Sequence, residues 1–130
     1  MIHYLKECDA NGDRIAVTKI GLKVYLSKIK EMVSANKFEI INRKKNIEFR
    51  KKYVLIREKI KTMILKLETE DIVDIVNDID YLNYGKEKLL IFIKEYILVD
   101  IYGKDKKVKV YIKIKLKDNF LPIISFHESM

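Results

Sequence analysis

"VKVYIKIKLKDNFLPIISFHESM", Val108 to Met130, closes the chain, and the reading of its first half decides the fold. Val108, Val110, Ile112, Ile114 and Leu116 are apolar, while Lys109, Tyr111, Lys113, Lys115 and Lys117 stand between them. Strict period-two alternation is the mark of a half-buried strand, because successive side chains point to opposite faces. The even-numbered face suits a core. The odd-numbered face lines up four lysines and a tyrosine, with like neighbours roughly 6.5–7 Å apart. A row of like charges repels itself, and a polyanion relieves that repulsion. The competing reading is a solvated lysine face that guards a sheet edge against aggregation. The tyrosine within the row, and His127 on the following strand, favour a working surface.

Outward from this strand, "KDN" is a turn and "FLPIISF" (120–126) a last strand. Upstream, "YGKDK" is a turn and "KLLIFIKEYILV" (88–99) a nearly continuous apolar run, which predicts a central strand buried on both faces. The first half has another period. Leu22, Leu26, Ile29 and Val33 recur at intervals of three and four, as on one buried helical stripe. Residues 54–67 repeat the pattern through Leu55, Ile60, Met63, Ile64 and Leu67. "KFEII" (37–41) predicts a strand and "NRKKN" a basic loop. "ETEDIVDIVNDI" (68–79) predicts a short helix with Thr69 as N-cap, and "YLNYG" breaks it.

"RIAVTKI" (14–20) reads as a short strand after the turn "DANGD". That turn imitates the start of an EF-hand loop through Asp9, Asn11 and Asp13, but Ile20 stands where a bidentate Glu is needed, so calcium binding is not expected. Helices first and an antiparallel meander afterwards make an α+β pattern: a twisted antiparallel sheet with N-terminal helices packed on one face. We expect one domain over 1–130, with an N-terminal extension (1–20), a mainly helical half (22–80) and antiparallel strands (87–127).

The net charge is +8, and it is segregated. Residues 43–66 hold ten basic and two acidic side chains, and 104–117 hold seven and one. Between them, 68–80 carry six acids and no base. Such segregation gives the field a direction, as a nucleic-acid site requires. The single cysteine, Cys8, cannot form an internal disulfide, and no Cys/His cluster offers a zinc ligand set. No apolar run approaches the roughly 18–20 residues that cross a bilayer, and the N-terminus lacks the apolar stretch of a signal peptide. The expectation is a cytoplasmic protein without membrane, metal or cofactor.

The pair "VYIKIKL … IISFHE" resembles the closing signature of the MqsR-type toxins, mRNA interferases of type II toxin–antitoxin modules. Further segments resemble the family in the same order: "KIKEMVSANKFEIINRKKN", "IKTMILKLETEDIVDI" and "KLLIFIKEYI". Together they cover roughly residues 24–129, and residues 1–20 have no counterpart. The resemblance implies a RelE-like microbial RNase fold, with helices on one side of the sheet and RNA on the other. It also implies metal-independent cleavage of mRNA and neutralisation by a cognate antitoxin protein.

In that chemistry a ribose 2′-OH attacks the neighbouring phosphate, which requires proton transfer and cations for the developing charge. The family's catalytic tyrosine falls on Tyr111, and its residue in the last strand falls on His127. Its polar residue on the preceding strand falls on Lys94, with Ile93 where a small residue is expected. Tyr111 and His127 are thus the expected proton-transfer pair, with Lys94 and Lys113 stabilising phosphate charge. Lys109, Lys115 and Lys117, with the cluster Arg43, Lys44 and Lys45, would hold flanking RNA. The alternative is a non-catalytic RNA- or protein-binding regulator on the same fold.

Parity gives a test. Tyr111 and His127 share a sheet face only if the last hairpin pairs residues of like parity. A three- or five-residue loop around Asp118–Asn119 does so. A two-residue loop does not, unless a bulge near Pro122 restores the register.

Overall fold

The structure is a computed structural model and describes residues 5–8, 14–17, 19–77 and 87–129. The turn expected at 9–13 and the break expected at 81–85 lie outside the described residues. Among the described residues, seven strands and three helices follow one another as β1 (Leu5–Cys8), β2 (Arg14–Val17), α1 (Lys19–Ser34), β3 (Phe38–Ile40), α2 (Lys44–Lys52), α3 (Arg57–Leu65), β4 (Ile72–Asn77), β5 (Lys88–Val99), β6 (Asp105–Leu116) and β7 (Leu121–Glu128). The strands form one sheet in the order β2-β1-β4-β5-β6-β7-β3. Its centre, β4 to β7, is antiparallel, as expected for the strands of 87–127. Both flanks join it in parallel, β1 on β4 and β3 on β7, so the α+β sheet is mixed. None of the described helices is long and apolar enough to cross a membrane.

The even-numbered face of β6 is the core face. Val108, Val110, Ile112 and Ile114 are buried there beside Leu90, Phe92, Tyr96 and Leu98 of β5. The helices bring Leu22, Leu26, Ile29 and Val33 from α1 and Ile60, Met63 and Ile64 from α3 into the same cluster. Tyr96 reaches through this layer and donates its hydroxyl to the Met63 carbonyl at 2.6 Å. Helix α1 stops because Asn36 adopts a left-handed φ of 61°. The amides of Asn36 and Lys37 then close back on the carbonyls of Val33 and Met32, which satisfies the helix end.

Three expectations are corrected. The apolar run 88–99 is not buried on both faces: Leu90, Phe92, Tyr96 and Leu98 are buried, whereas Ile97 and Val99 on the odd face are exposed. Isoleucine abundance made the run look uniform. In the short helix expected over 68–79, the described residues instead form a single 3₁₀ turn, Thr69–Asp71, capped by Glu68 rather than Thr69, and then strand β4. β-branched Ile72, Val73, Ile75 and Val76 favour the extended form once β5 offers a partner, and a bulge at Val73 fits the register. Finally, the basic "loop" belongs to α2, whose nine residues carry a buried stripe of only Asn46 and Phe49. An asparagine and one aromatic do not make a recognisable helical pattern.

The N-terminal extension also finds a place: β1 and β2 form a hairpin that extends the sheet beyond β4.

Candidate nucleic-acid site

The connection from β6 to β7 is four residues long, Lys117–Phe120. An even loop pairs odd with even positions, and Ile114 indeed faces Ile123. One residue further the register shifts: Lys113 faces Ser125, Ile112 faces Phe126 and Tyr111 faces His127. Ile124 is the extra residue of a β-bulge. That bulge decides the site. It keeps Phe126 on the core face and turns Ser125 and His127 onto the lysine face.

Asn46 holds the bulge in place. Strand β3 covers the outer edge of β7 only as far as Ile123, and the Ile41 amide makes its last bond, to the Ile123 carbonyl. Beyond it, the buried Asn46 side chain takes over the pairing. Its amide nitrogen donates to the carbonyls of Ile124 and Ile41, each at 2.9 Å, and its oxygen accepts from the Phe126 amide at 2.9 Å. One turn on, Phe49 packs edge-on against Phe126, with ring centroids 6.0 Å apart. Two side chains of α2 therefore substitute for a neighbouring strand.

On the open face the Tyr111 and His127 rings stack, centroids 5.4 Å apart and planes 15° from parallel. His127 Nδ1 lies 3.0 Å from the Glu128 carbonyl oxygen. A carbonyl can only accept, so Nδ1 carries the proton and Nε2 keeps its lone pair in the neutral ring. No described residue bonds the Tyr111 hydroxyl. Beside it in the row, Lys109 and Lys113 make no ion pair among the described residues, and Glu95 of β5 sits opposite Lys109. Lys115 and Lys117 converge on Glu87, at 3.4 and 3.9 Å. Part of their charge is thus already balanced.

The structure separates Lys94 from this group. Register places Lys94 opposite Val110, on the core face, and Ile93 opposite Tyr111. Its ammonium pairs with Asp71 at 3.1 Å, while the same carboxylate oxygen accepts from the Glu68 amide at 2.8 Å. Lys94 fastens the 3₁₀ turn to β5 and does not reach the Tyr111–His127 pair; one residue of alignment shift flips a side chain through the sheet.

The basic cluster does reach the site. Arg43, Lys44 and Lys45 surround a recess completed by Asn46, Ser125 and His127. Lys45 and His127 also line a second hollow, together with Glu48, Phe49, Lys52 and Glu128. Sequence reasoning missed Asn46 and Ser125. Ser125 carried one signal, since it stands two residues from His127 and so shares its face.

The stacked pair, the lysine row and the flanking basic helix end thus bring aromatic rings and positive charge together around His127. The model of the family described as "Motility quorum-sensing regulator, toxin of MqsA" matches residues 23–128, and the chain belongs to that toxin family. The match begins within α1, so β1 and β2 precede it. Neither a curated protein nor a solved structure matches the chain.

Proposed function

We propose that the chain is an endoribonuclease toxin that cleaves mRNA by acid–base catalysis without a metal, and that a cognate antitoxin, as the family description names for its toxin, neutralises it. The observation that carries this reading is the register-paired Tyr111–His127 stack on the cationic face.

RNA supplies its own nucleophile, the 2′-hydroxyl, so no water has to be activated. His127 Nε2 takes the 2′-OH proton as the 2′-oxygen bonds to phosphorus. The P–O5′ bond breaks, and the leaving oxygen receives the Tyr111 phenolic proton. The products are a 2′,3′-cyclic phosphate and a 5′-hydroxyl end. Proton return from the imidazolium to the phenolate resets the pair, a short path for two stacked rings. Lys113 and Lys109 flank Tyr111 along β6 and oppose the charge that develops on the phosphate. Lys94, held on the other face, has no part in these steps.

The test is cleavage of a bulk mRNA by the purified chain with EDTA present. Cleavage with cyclic-phosphate ends, abolished in Tyr111→Phe and His127→Ala variants of unchanged circular dichroism, supports the reading. Wild type that binds RNA and leaves it intact reduces the protein to a non-catalytic binder.

A further inference from the structure

We propose that the recess at the start of α2 is a phosphate subsite, which holds the RNA phosphate adjoining the scissile one; this rests on the nuclease reading. Helix α2 begins without a side-chain cap and with no acidic residue in its first turn. Its first amides, from Lys44 to Asn46, therefore present the positive end of the helix dipole with no carboxylate to balance it. Three further cations, Arg43, Lys44 and Lys45, gather at that same end. Charge of one sign is thereby concentrated where a helix favours the other, an arrangement that an anion relieves.

A second feature points to the same occupant. Ser125 also lines the recess, yet it is only 5% exposed. Its hydroxyl bonds no described residue. The hydroxyl oxygen is not among the sealed, unpartnered polar atoms, so it opens onto the recess and is free to donate to a ligand there. A phosphate oxygen here would accept from Ser125 and from the helix amides at once. The recess shares the His127 imidazole as a wall, with Tyr111 on the β6 side of that ring and the recess on the α2 side. Successive phosphates of one strand can therefore lie on the two sides of the imidazole, one at the reacting pair and one in the recess.

Inorganic phosphate, titrated into the ¹⁵N-labelled full chain at low salt, is the first probe. Saturable shifts of the Lys44, Lys45 and Asn46 amides are expected, weakened roughly three- to tenfold in Ser125→Ala and retained in Tyr111→Phe. Ser125→Thr, whose added methyl enters the recess, should also weaken them. Shifts that never saturate, or that survive both serine substitutions unchanged, overturn the subsite. The second probe is a 2′-deoxy-substituted RNA that cannot be cleaved. Its competition with phosphate for these amides assigns the site to the RNA backbone, and absence of competition overturns that assignment. In cleavage, Ser125→Ala should raise KM with kcat within about twofold; a fall in kcat at constant KM overturns the flanking position. Competition without any cleavage by wild type leaves the subsite standing and removes the nuclease reading.

Discussion

Lys94 and Lys113 sit on adjoining central strands, each interrupting a run of isoleucine and valine, and they have opposite fates. Lys94 faces the helices and is spent on Asp71, which itself caps a 3₁₀ turn. Lys113 faces the open side, opposite Ser125 and two residues from Tyr111, and has no ion pair among the described residues. Composition cannot tell the two apart. Only the register can, and the register of the last strand turns on one extra residue, Ile124. Lys94 on the helix side is architecture, whereas Lys113 on the open side is available charge.

Breaking the open face should have the largest effect. Loss of either proton-transfer group typically removes about 10²–10⁴-fold of the rate, so Tyr111→Phe and His127→Ala should each lower single-turnover cleavage by that order. Their thermal midpoints should stay close to wild type, since neither side chain lies in the core. If the two act as one unit, the double variant will be little slower than the worse single one.

Next comes the residue that decides which face His127 occupies. Asn46→Asp keeps the shape and the acceptor for the Phe126 amide but loses both donated bonds, leaving a carboxylate against the carbonyls of Ile124 and Ile41. One buried polar mismatch of this kind costs about 1–3 kcal/mol, read as a lower urea midpoint. The diagnostic readout is the contact between the His127 and Tyr111 rings by nuclear Overhauser effect. Its loss, with kcat falling more than KM changes, marks Asn46 as a positioning residue. Weakened stability with the ring contact and kcat intact would restrict it to a structural role.

The lysine pair itself gives a smaller, opposed result. Lys113→Gln should reduce kcat about a hundredfold, the lower end of the range for losing one charge-stabilising donor, without altering stability. Lys94→Gln should do the reverse, lowering stability by about 1–2 kcal/mol, between the ranges for surface and buried pairs, and leaving kcat within about twofold. Equal catalytic losses in both would contradict the placement of the two residues on opposite faces.

Much of this contrast was legible from the chain alone, and its limits have physical causes. The period-two pattern of 108–116 is enforced by burial on one face, so the core and the lysine row could be read directly. Helix α1 was equally plain, because its apolar stripe is complete. The register between β6 and β7 was not, since a bulge is set by the partner that supports it. That partner is Asn46, 80 positions away from its Phe126 contact. The same blindness assigned Lys94 to the site: a one-residue shift in matching β5 exchanges Lys94 for Ile93, and periodicity in an isoleucine-rich run does not resist the shift. Strand β4 was hidden for a different reason, since acids between β-branched residues imitate a polar helix until β5 is seen beside them.

The far end of the β5–β6 hairpin sharpens the comparison with the smallest effect. There Lys106 is engaged, 3.4 Å from Asp100, while Lys109, three residues on and nearer Tyr111, has no ion pair among the described residues. Asp100 closes the turn. Its carboxylate accepts from the amides of Lys104 at 3.0 Å and Tyr102 at 2.9 Å, and Gly103 supplies the left-handed step with φ of 78°. The Lys104 amide first, then the Tyr102 amide and the Lys106 ammonium, hold the Asp100 carboxyl below its ordinary range, against the opposing effect of burial. A carboxyl depressed on folding stabilises the native state fully above its unfolded value of about 3.9 and loses that contribution as pH falls through the lower folded value. Wild type should therefore lose stability between about pH 5 and the folded Asp100 value, read as a falling urea midpoint. Asp100→Asn should be the less stable protein at neutral pH and show a shallower acid limb, because its amide cannot be protonated away. RNA cleavage at neutral pH should not change, since this turn lies at the end of the hairpin away from the stacked rings. An acid limb identical in the two proteins would show that the turn carries none of the pH dependence.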